Sequence, residues 1–206
     1  AAEKRRALEK RVASAAAWSD PLRRLASRWL FVGLGPWLLG QLAELERPIA
    51  VMFIDLDGLK EINDTFGHAV GDRVLSAVAA RLRVQVRKLD LAARIGGDEF
   101  GMLLDGMRHK SDASVVAERI IETLRRPIPI GDAMVTIGAS VGVAVVAEPA
   151  DAPEPEALMP RADLTMYLAK RQGQHRLVGF DRHARHQGRA RAPAHDHTRP
   201  PQAARR

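Results

Sequence analysis

LAARIGGDEFGMLL, at residues 91–104, has the pattern of a β-hairpin. Its two apolar runs, residues 91–95 and 100–104, are typical of short buried strands. Gly96 and Gly97 lie between the runs, and a pair of glycines indicates a two-residue hairpin turn because glycine adopts positive φ angles without strain. We therefore predict two neighbouring antiparallel strands joined by a tight turn.

Around this hairpin the chain alternates between strand and helix patterns. We predict further strands at residues 50–54, 134–146 and 176–180, and helices at residues 59–66, 74–86, 114–126 and 160–171. Residues 67–71 are a predicted break, Asp72 is a suitable N-cap for the helix after it, and Pro160 would lie in the first turn of the last helix. This order of elements predicts an α/β (α+β) fold, with helices packed on a mostly antiparallel sheet.

The composition is that of an ordinary folded domain. Of the 206 residues, 46% are hydrophobic and none is cysteine, which excludes disulfides and thiolate metal sites and is compatible with a reducing cytoplasm. The most apolar run, residues 29–40, is shorter than the roughly 20 residues that a bilayer-spanning helix needs. It contains Gly33, Gly35 and Pro36, so we predict a core-facing or partner-facing helix with a break, in a cytoplasmic protein or in the cytoplasmic part of a larger, membrane-bound one.

The positive charge of the chain is located at its two ends. Of the formal net charge of +7, residues 1–16 supply +3 and residues 180–206 supply +5, which leaves −1 for the stretch between them. Because the basic residues do not form a patch on the central region, this charge does not indicate a nucleic-acid partner.

The same distribution suggests the domain boundaries. We predict that residues 1–17 are a linker helix from an upstream sensory region, that residues 18–181 form the folded domain, and that residues 182–206 are a basic, disordered tail. The histidines of the tail, His195 and His197, could bind a metal ion, but without a packed scaffold a solvated role is the favoured interpretation.

Four acidic residues are candidates for chemistry. Asp55 and Asp57 end the strand at residues 50–54 and project from the same face because side chains alternate along a strand. Asp98 and Glu99 open the second strand of the hairpin, beside the glycines. Carboxylates that converge at a strand edge attract Mg²⁺, which leaves room for substrate phosphates. The alternative is that they are solvated turn residues.

Three spaced motifs carry a resemblance to a known family. Residues 94–100, RIGGDEF, resemble the signature of the GGDEF family of diguanylate cyclase domains, and residues 53–72 and 162–170 resemble its second motif and its late helix. The similarity covers about residues 20–181. It implies a ferredoxin-like arrangement with extra elements, similar to the adenylyl cyclase catalytic core and the polymerase palm.

The resemblance also implies roles for individual residues. Mg²⁺, with Mn²⁺ as an alternative ion, would be held by Asp55, the carbonyl of Leu56 and Asp98, and Glu99 would join a second ion. Asp98 and Glu99 are the implied catalytic residues.

A second group of residues is implied to bind the nucleotide. Asn63 and Asp72 would bind the guanine edge, Lys60 and Lys170 the triphosphate, and His68 the ribose or base. For Asn63 and Asp72, helix capping and turn formation are the structural alternative.

The implied reaction joins two GTP molecules into cyclic di-GMP and releases pyrophosphate, with one GTP on each subunit of a homodimer. The resemblance further implies product inhibition through Arg87, Asp90 and Arg119, because arginine forks suit phosphate and guanine edges. A surface ion pair between Arg87 and Asp90 is the alternative.

Some positions depart from the family pattern. In the first motif, residues 20–28, Arg23 replaces a small hydroxyl residue, Arg24 a glycine and Ser27 an amide, and Gln174 stands where the family has an arginine. These departures leave a degenerate domain, which binds GTP or cyclic di-GMP as a sensor without turnover, as an alternative. A third alternative, a dimerisation module for a phosphodiesterase domain, would be indicated by loss of the metal carboxylates, which are all present.

Overall fold

The described part of the protein covers most of the predicted domain. A computed structural model describes residues 25–28, 30–32, 48–87, 90–105, 107–109, 111–146, 155–171 and 177–180. Several predictions lie outside these residues, namely those for the linker 1–17, for Arg23, Arg24 and Gln174, for the end of the apolar run after residue 32, and for the tail 182–206.

A five-stranded sheet forms the centre of the molecule. The elements in chain order are β1 (Ile49–Asp57), α1 (Leu59–Phe66), α2 (His68–Arg83), β2 (Leu91–Arg94), β3 (Glu99–Leu104), α3 (Ser111–Arg125), β4 (Ile128–Ile130), β5 (Ala133–Val135), β6 (Gly138–Val146), α4 (Pro155–Arg171) and β7 (Leu177–Phe180). The strand order is β2-β3-β1-β6-β7, and β4 and β5 form a separate hairpin. Among the strands of the described residues, β6 and β7 are the one parallel pair, and an isolated bridge between Ala26 and Ala93 is also parallel. The mostly antiparallel sheet confirms the predicted α/β fold.

The middle strand, β1, is covered on both faces. All nine of its residues are buried, and it pairs with β3 on one side and β6 on the other. Its alternate residues contribute to two cores because successive side chains point to opposite faces. Met52 and Ile54 join the core with α1, α2 and α3, whereas Val51 and Phe53 join the core with α4.

The second core includes a short segment before β1. Leu30 and Phe31 are buried there, and the Phe31 ring meets Phe53 edge to face with centroids 5.8 Å apart. Phe31 also lies against Gly101, where an added Cβ atom would come within 2.5 Å of Cζ of the ring. Leu30 and Phe31 of the apolar run therefore face the core as predicted, whereas Val32 is exposed. No helix in the described part of the chain is both long and apolar enough to cross a bilayer.

The connections differ from the sequence predictions in two places. Residues 95–98, four rather than two, join β2 to β3, and neither Gly96 nor Gly97 has a positive φ. The predicted break at residues 67–71 is reduced to Gly67, whose φ of 84° and ψ of 159° end α1 and start α2 directly. Asp72 consequently lies inside α2 instead of capping it, so the prediction of an Asp72 N-cap was wrong.

Two later elements were also predicted incorrectly. Residues 134–146 are not one strand, because β5 ends at Val135 and belongs to the hairpin with β4, which turns at Gly131 with a φ of 61°. Strands of three residues are too short to show a period. The last helix begins at Pro155, so Pro160 lies inside it and not in its first turn. Pro155 has the N-terminal position that suits proline.

Candidate active site

The acidic residues are brought together by the pairing of β1 with β3. Asp55 lies opposite Glu99 in the register, and the Leu56 N–H donates a hydrogen bond of 3.0 Å to the Asp98 carbonyl. The N–H groups of Ile95 and Gly96 donate to the Glu99 carbonyl at 2.8 and 3.2 Å, which closes the connection between β2 and β3. The carboxylates of Asp55, Asp98 and Glu99 therefore gather at one end of the sheet.

Asp55 is the buried member of this group. Only 3% of the residue is exposed, and burial raises the pKa of its carboxyl to about 6, although Lys170 acts in the opposite direction. Lys170 Nζ lies 2.5 Å from Asp55 Oδ2. Burial alone would lower the pKa of Lys170, but its hydrogen bond to Asp55 and the charge of that carboxylate outweigh burial and raise it. The predicted triphosphate lysine thus pairs with a predicted metal ligand.

The other oxygen of Asp55 fits a cation. Asp55 Oδ1 is buried and has no hydrogen-bond partner among the residues that the structure describes, and the nearby charges of Asp98 and Glu99 add negative potential. Nevertheless, within the described ranges no three histidine or acidic side chains converge closely enough to hold a metal ion by themselves. A hard cation that keeps several waters and substrate oxygens, as Mg²⁺ does, needs only one or two protein carboxylates. The residues present therefore fit Mg²⁺ shared with a phosphate group.

Asp57 projects to the same face as Asp55 but has a different neighbour. Its Oδ1 accepts a hydrogen bond of 2.9 Å from the buried Ser140 hydroxyl. Asp57 also raises the pKa of Lys170 through its charge, as the last of several contributions. The sequence gives no signal for Ser140, because the two partners lie 83 positions apart.

The predicted nucleotide-binding residues outside α4 line one cavity. Its volume is about 500 Å³, and Lys60, Asn63, His68 and Asp72 line it together with Asp98. Gly97 and Arg94 complete the wall next to the acidic residues, and Arg94 Nη2 donates a bond of 2.6 Å to the Gly97 carbonyl. No pattern in the sequence singles out Arg94 for a role of its own, although it lies within the signature.

Two glycines orient the helices that form this cavity. Gly58, with a φ of 90°, lets α1 start directly after the acidic end of β1. Gly67 donates its N–H to the Asn63 carbonyl at 2.8 Å and turns the chain into α2. Asn63 on α1 and Asp72 on α2 consequently line the same space. Neither helix has a side-chain cap at its N-terminus, so helix capping does not explain these two residues.

Lys170 lies at a second cavity on the other side of the acidic residues. This cavity has a volume of about 580 Å³, and Asp55, Glu99 and Lys170 line it with Tyr167 and other residues of α4. Asp98 and Glu99 face different cavities because adjacent residues entering a strand point in opposite directions. The structure therefore separates Lys170 from the other four predicted nucleotide-binding residues.

A third cavity, of about 390 Å³, lies at the opposite end of β2 and β3. It is lined by Arg87, Asp90 and Arg119 together with other residues. Asp90 is 8% exposed, and its two oxygens accept hydrogen bonds from the N–H groups of Arg87, at 2.8 Å, and Asp105, at 3.0 Å. Burial raises the pKa of Asp90 more than these bonds lower it. Because Asp90 is buried and bonded to backbone groups, an exposed ion pair does not describe it.

Comparison with known proteins agrees with this geometry. Residues 17–176 match the family model described as "Diguanylate cyclase, GGDEF domain". The diguanylate cyclase TpbB of Pseudomonas aeruginosa (strain UCBPP-PA14) is 42% identical over 161 residues, which cover 77% of this chain and 37% of TpbB. The chain therefore spans little more than a third of the length of this relative.

Solved structures show the same fold. A structure comprising only the GGDEF domain of TpbB from Pseudomonas aeruginosa (PAO1) superposes with a TM-score of 0.70 and 39% identity, and the match covers 78% of this chain and 93% of that one. The GGDEF domain of DgcB from Caulobacter crescentus, solved in complex with c-di-GMP, gives a TM-score of 0.71 at 29% identity, over 79% of this chain and 95% of that one.

Proposed function

Because this chain belongs to the GGDEF domain family, we propose that it condenses two molecules of GTP into cyclic di-GMP and releases pyrophosphate. The observation that carries the proposal is the cavity in which Lys60, Asn63 and Asp72 share a wall with Asp98. Groups suited to a base, a phosphate and a reacting hydroxyl are thereby placed in one space.

The guanine base is the part of the substrate that this cavity can select. An amide offers both a donor and an acceptor, and a carboxylate accepts from the N–H groups of guanine, so Asn63 and Asp72 together complement its edge. Adenine presents a different pattern of donors and acceptors and would leave these two side chains without partners where the base covers them. Lys60 adds a positive charge for the phosphates and has no means of distinguishing bases, while His68 would lie near the ribose or base.

The acidic end of the sheet would hold the ion. The groups available for Mg²⁺, with Mn²⁺ as an alternative, are Asp55 Oδ1, Asp98 and Glu99. The Leu56 carbonyl would join them, as the resemblance to the family implies. When bound, the ion supplies charge stabilisation at the phosphate and lowers the cost of deprotonating a hydroxyl. Lys170 would bind the phosphates from the second cavity, where it now neutralises Asp55.

The reaction then needs two copies of the chain. The 3′-oxygen of one GTP forms a bond to the α-phosphorus of the other, the bond to the β-phosphate breaks, and pyrophosphate leaves. Asp98 is our candidate for accepting the hydroxyl proton, and a second, reciprocal step closes the ring. Because the described residues present one such cavity per chain, a homodimer supplies the second nucleotide, and positioning contributes much of the rate.

The third cavity is our proposed inhibitory site. Cyclic di-GMP carries two phosphates and two guanines, which suit the guanidinium groups of Arg87 and Arg119. Asp90 would shape this site through its bonds to backbone N–H groups and could still accept from a guanine, because each carboxylate oxygen has two lone pairs. We further propose a cytoplasmic location and an upstream sensory region that brings two chains together.

One experiment separates this function from the sensor alternative, which the departures at Arg23, Arg24 and Gln174 favour. Purified protein is incubated with GTP and Mg²⁺, and pyrophosphate and cyclic di-GMP are quantified. A catalytic chain releases two pyrophosphates per cyclic dinucleotide. Folded, dimeric protein that binds GTP and forms no product would replace the cyclase with a nucleotide sensor.

A further inference from the structure

Gly71 lies directly against the side chain of Asn63. Gly71 is buried in the first turns of α2, and its N–H donates to the Gly67 carbonyl at 3.3 Å. A Cβ atom built on Gly71 would overlap Asn63 Oδ1 and would lie 2.9 Å from Asn63 Cγ. The Asn63 amide therefore occupies the space that any other residue at position 71 would fill.

The backbone conformation does not require glycine here. Among the described glycines only Gly58, Gly67 and Gly131 have positive φ, and Gly71 lies within a helix, where alanine is more favourable than glycine. The three nearest atoms to the added Cβ all belong to Asn63. Close approach of the asparagine is consequently the physical reason for glycine at this position.

The asparagine has little freedom to adjust by moving its backbone. Its carbonyl accepts the 2.8 Å bond from Gly67 N–H at the corner between α1 and α2, and the neighbouring Ile62 is buried in the core. A methyl group on residue 71 would thus be accommodated by rotation of the Asn63 side chain, which is the flexible partner. That rotation would move the amide away from its present place on the cavity wall.

We propose that Gly71 is a positioning residue for guanine selectivity: its bare Cα lets the Asn63 amide lie against α2 at the wall of the cavity, where it would bind the base. This inference rests on the proposed function, in which Asn63 binds guanine. It adds that the selectivity of the cavity depends on a residue that offers the nucleotide no side chain.

The test measures binding without turnover. Isothermal titration calorimetry, with Mg²⁺, compares guanosine and adenosine triphosphate analogues that carry a methylene group between the α- and β-phosphates. The proteins are the parent, Gly71→Ala, Asn63→Ala and the double variant. Ala80→Gly, at an exposed position of α2, is the control for the change in helix propensity.

We expect Gly71→Ala to weaken binding of the guanosine analogue about tenfold, which corresponds to the loss of one good hydrogen bond. Binding of the adenosine analogue should weaken less than about twofold. The melting temperature should not fall, since alanine favours the helix. In the Asn63→Ala background the same substitution should change guanosine affinity less than about twofold. Ala80→Gly should lower the melting temperature and keep the selectivity of the parent.

Three results would overturn the inference, and each has a different meaning. If Gly71→Ala keeps the selectivity of the parent while Asn63→Ala loses it, the role of Gly71 is refuted and the proposed function still stands. Unchanged selectivity in Asn63→Ala refutes the base-binding assignment and the inference with it. If Gly71→Ala loses affinity for both analogues equally and also has a lower melting temperature, Gly71 contributes to general packing and not to selectivity.

Discussion

The contact between α4 and β6 depends on the absence of a side chain at Gly142. A Cβ atom there would lie 2.6 Å from Met166 Cα and would overlap Met166 N and the Ala162 carbonyl, whereas ordinary contact begins at 3.4 Å. In Gly142→Ala the helix would have to lift by about 1 Å, because backbone atoms on both sides cannot rotate away. Such overpacking costs typically about 1–3 kcal/mol, and we expect the upper end of that range.

The loss would be visible in thermal unfolding. For a chain of this size, each kcal/mol lowers the melting temperature by about 2–4 °C, so Gly142→Ala should lose about 6–12 °C. The matched comparison is Gly101→Ala, since Gly101 and Gly142 flank Phe53 in the same register on β3 and β6. The atoms that an alanine at position 101 would meet belong to the Phe31 ring, which can shift as a side chain.

The comparison between the two variants tests the reasoning. We expect Gly101→Ala to be the less destabilised protein, by about 1 kcal/mol or more, because a ring yields more readily than a helix backbone. Urea unfolding should give the same order of stabilities, with similar slopes for both variants. A melting temperature of Gly142→Ala within about 1 °C of the parent, or above that of Gly101→Ala, would refute the backbone-contact argument.

Four further predictions concern activity. Asp98→Ala should abolish formation of cyclic di-GMP while the melting curve stays cooperative, and residual turnover near the parent rate would exclude Asp98 from the chemistry. Lys60→Ala should weaken the binding of GTP and of ATP by the same factor, about tenfold, whereas Asp72→Ala should weaken the binding of GTP alone. Calorimetry that finds the same pattern of affinities for both variants would contradict this division. Arg87→Ala should lose cyclic di-GMP binding and retain conversion of GTP, and unchanged affinity would move the inhibitory site elsewhere. Specific activity should rise with protein concentration, because one chain holds one nucleotide; a flat dilution series with monomeric protein by light scattering would argue against the two-subunit reaction.

Two of the helices are joined by a side chain that lies 43 to 46 positions from its partners in the sequence. Arg81, on α2, donates to the carbonyls of Leu124, Arg126 and Pro127 at 3.0, 2.6 and 2.8 Å, and thereby holds the C-terminus of α3 against α2. The Leu124 carbonyl lies in the last turn of α3, where a helix leaves carbonyls without intrahelical partners, and the other two carbonyls follow the end of the helix. Helices α2 and α3, which share the core on one face of the sheet with α1, are joined in this way.

Local sequence determined the elements and the identity of most candidate residues. Apolar runs predicted β1, β2 and β3 because burial of a short strand requires them, and helical periodicity predicted α1, α3 and the end of α4. The resemblance of residues 53–72 and 94–100 to the GGDEF family selected Asn63, Asp72 and Asp98, which the structure places around one cavity. Patterns of this kind arise from neighbours in the chain, so sequence alone contains them.

Tertiary structure decided which of these residues meet. Sequence could not place Lys170 on Asp55, Ser140 on Asp57 or the amide of Asn63 on Gly71, since each contact depends on strand register or on how closely two elements approach. The turn at residues 95–98 shows the same limit: two glycines predicted a tight reversal, but pairing of Ile95 N–H with the Glu99 carbonyl set a longer one. Register and helix approach result from packing of the whole core, a long-range property that no local pattern encodes.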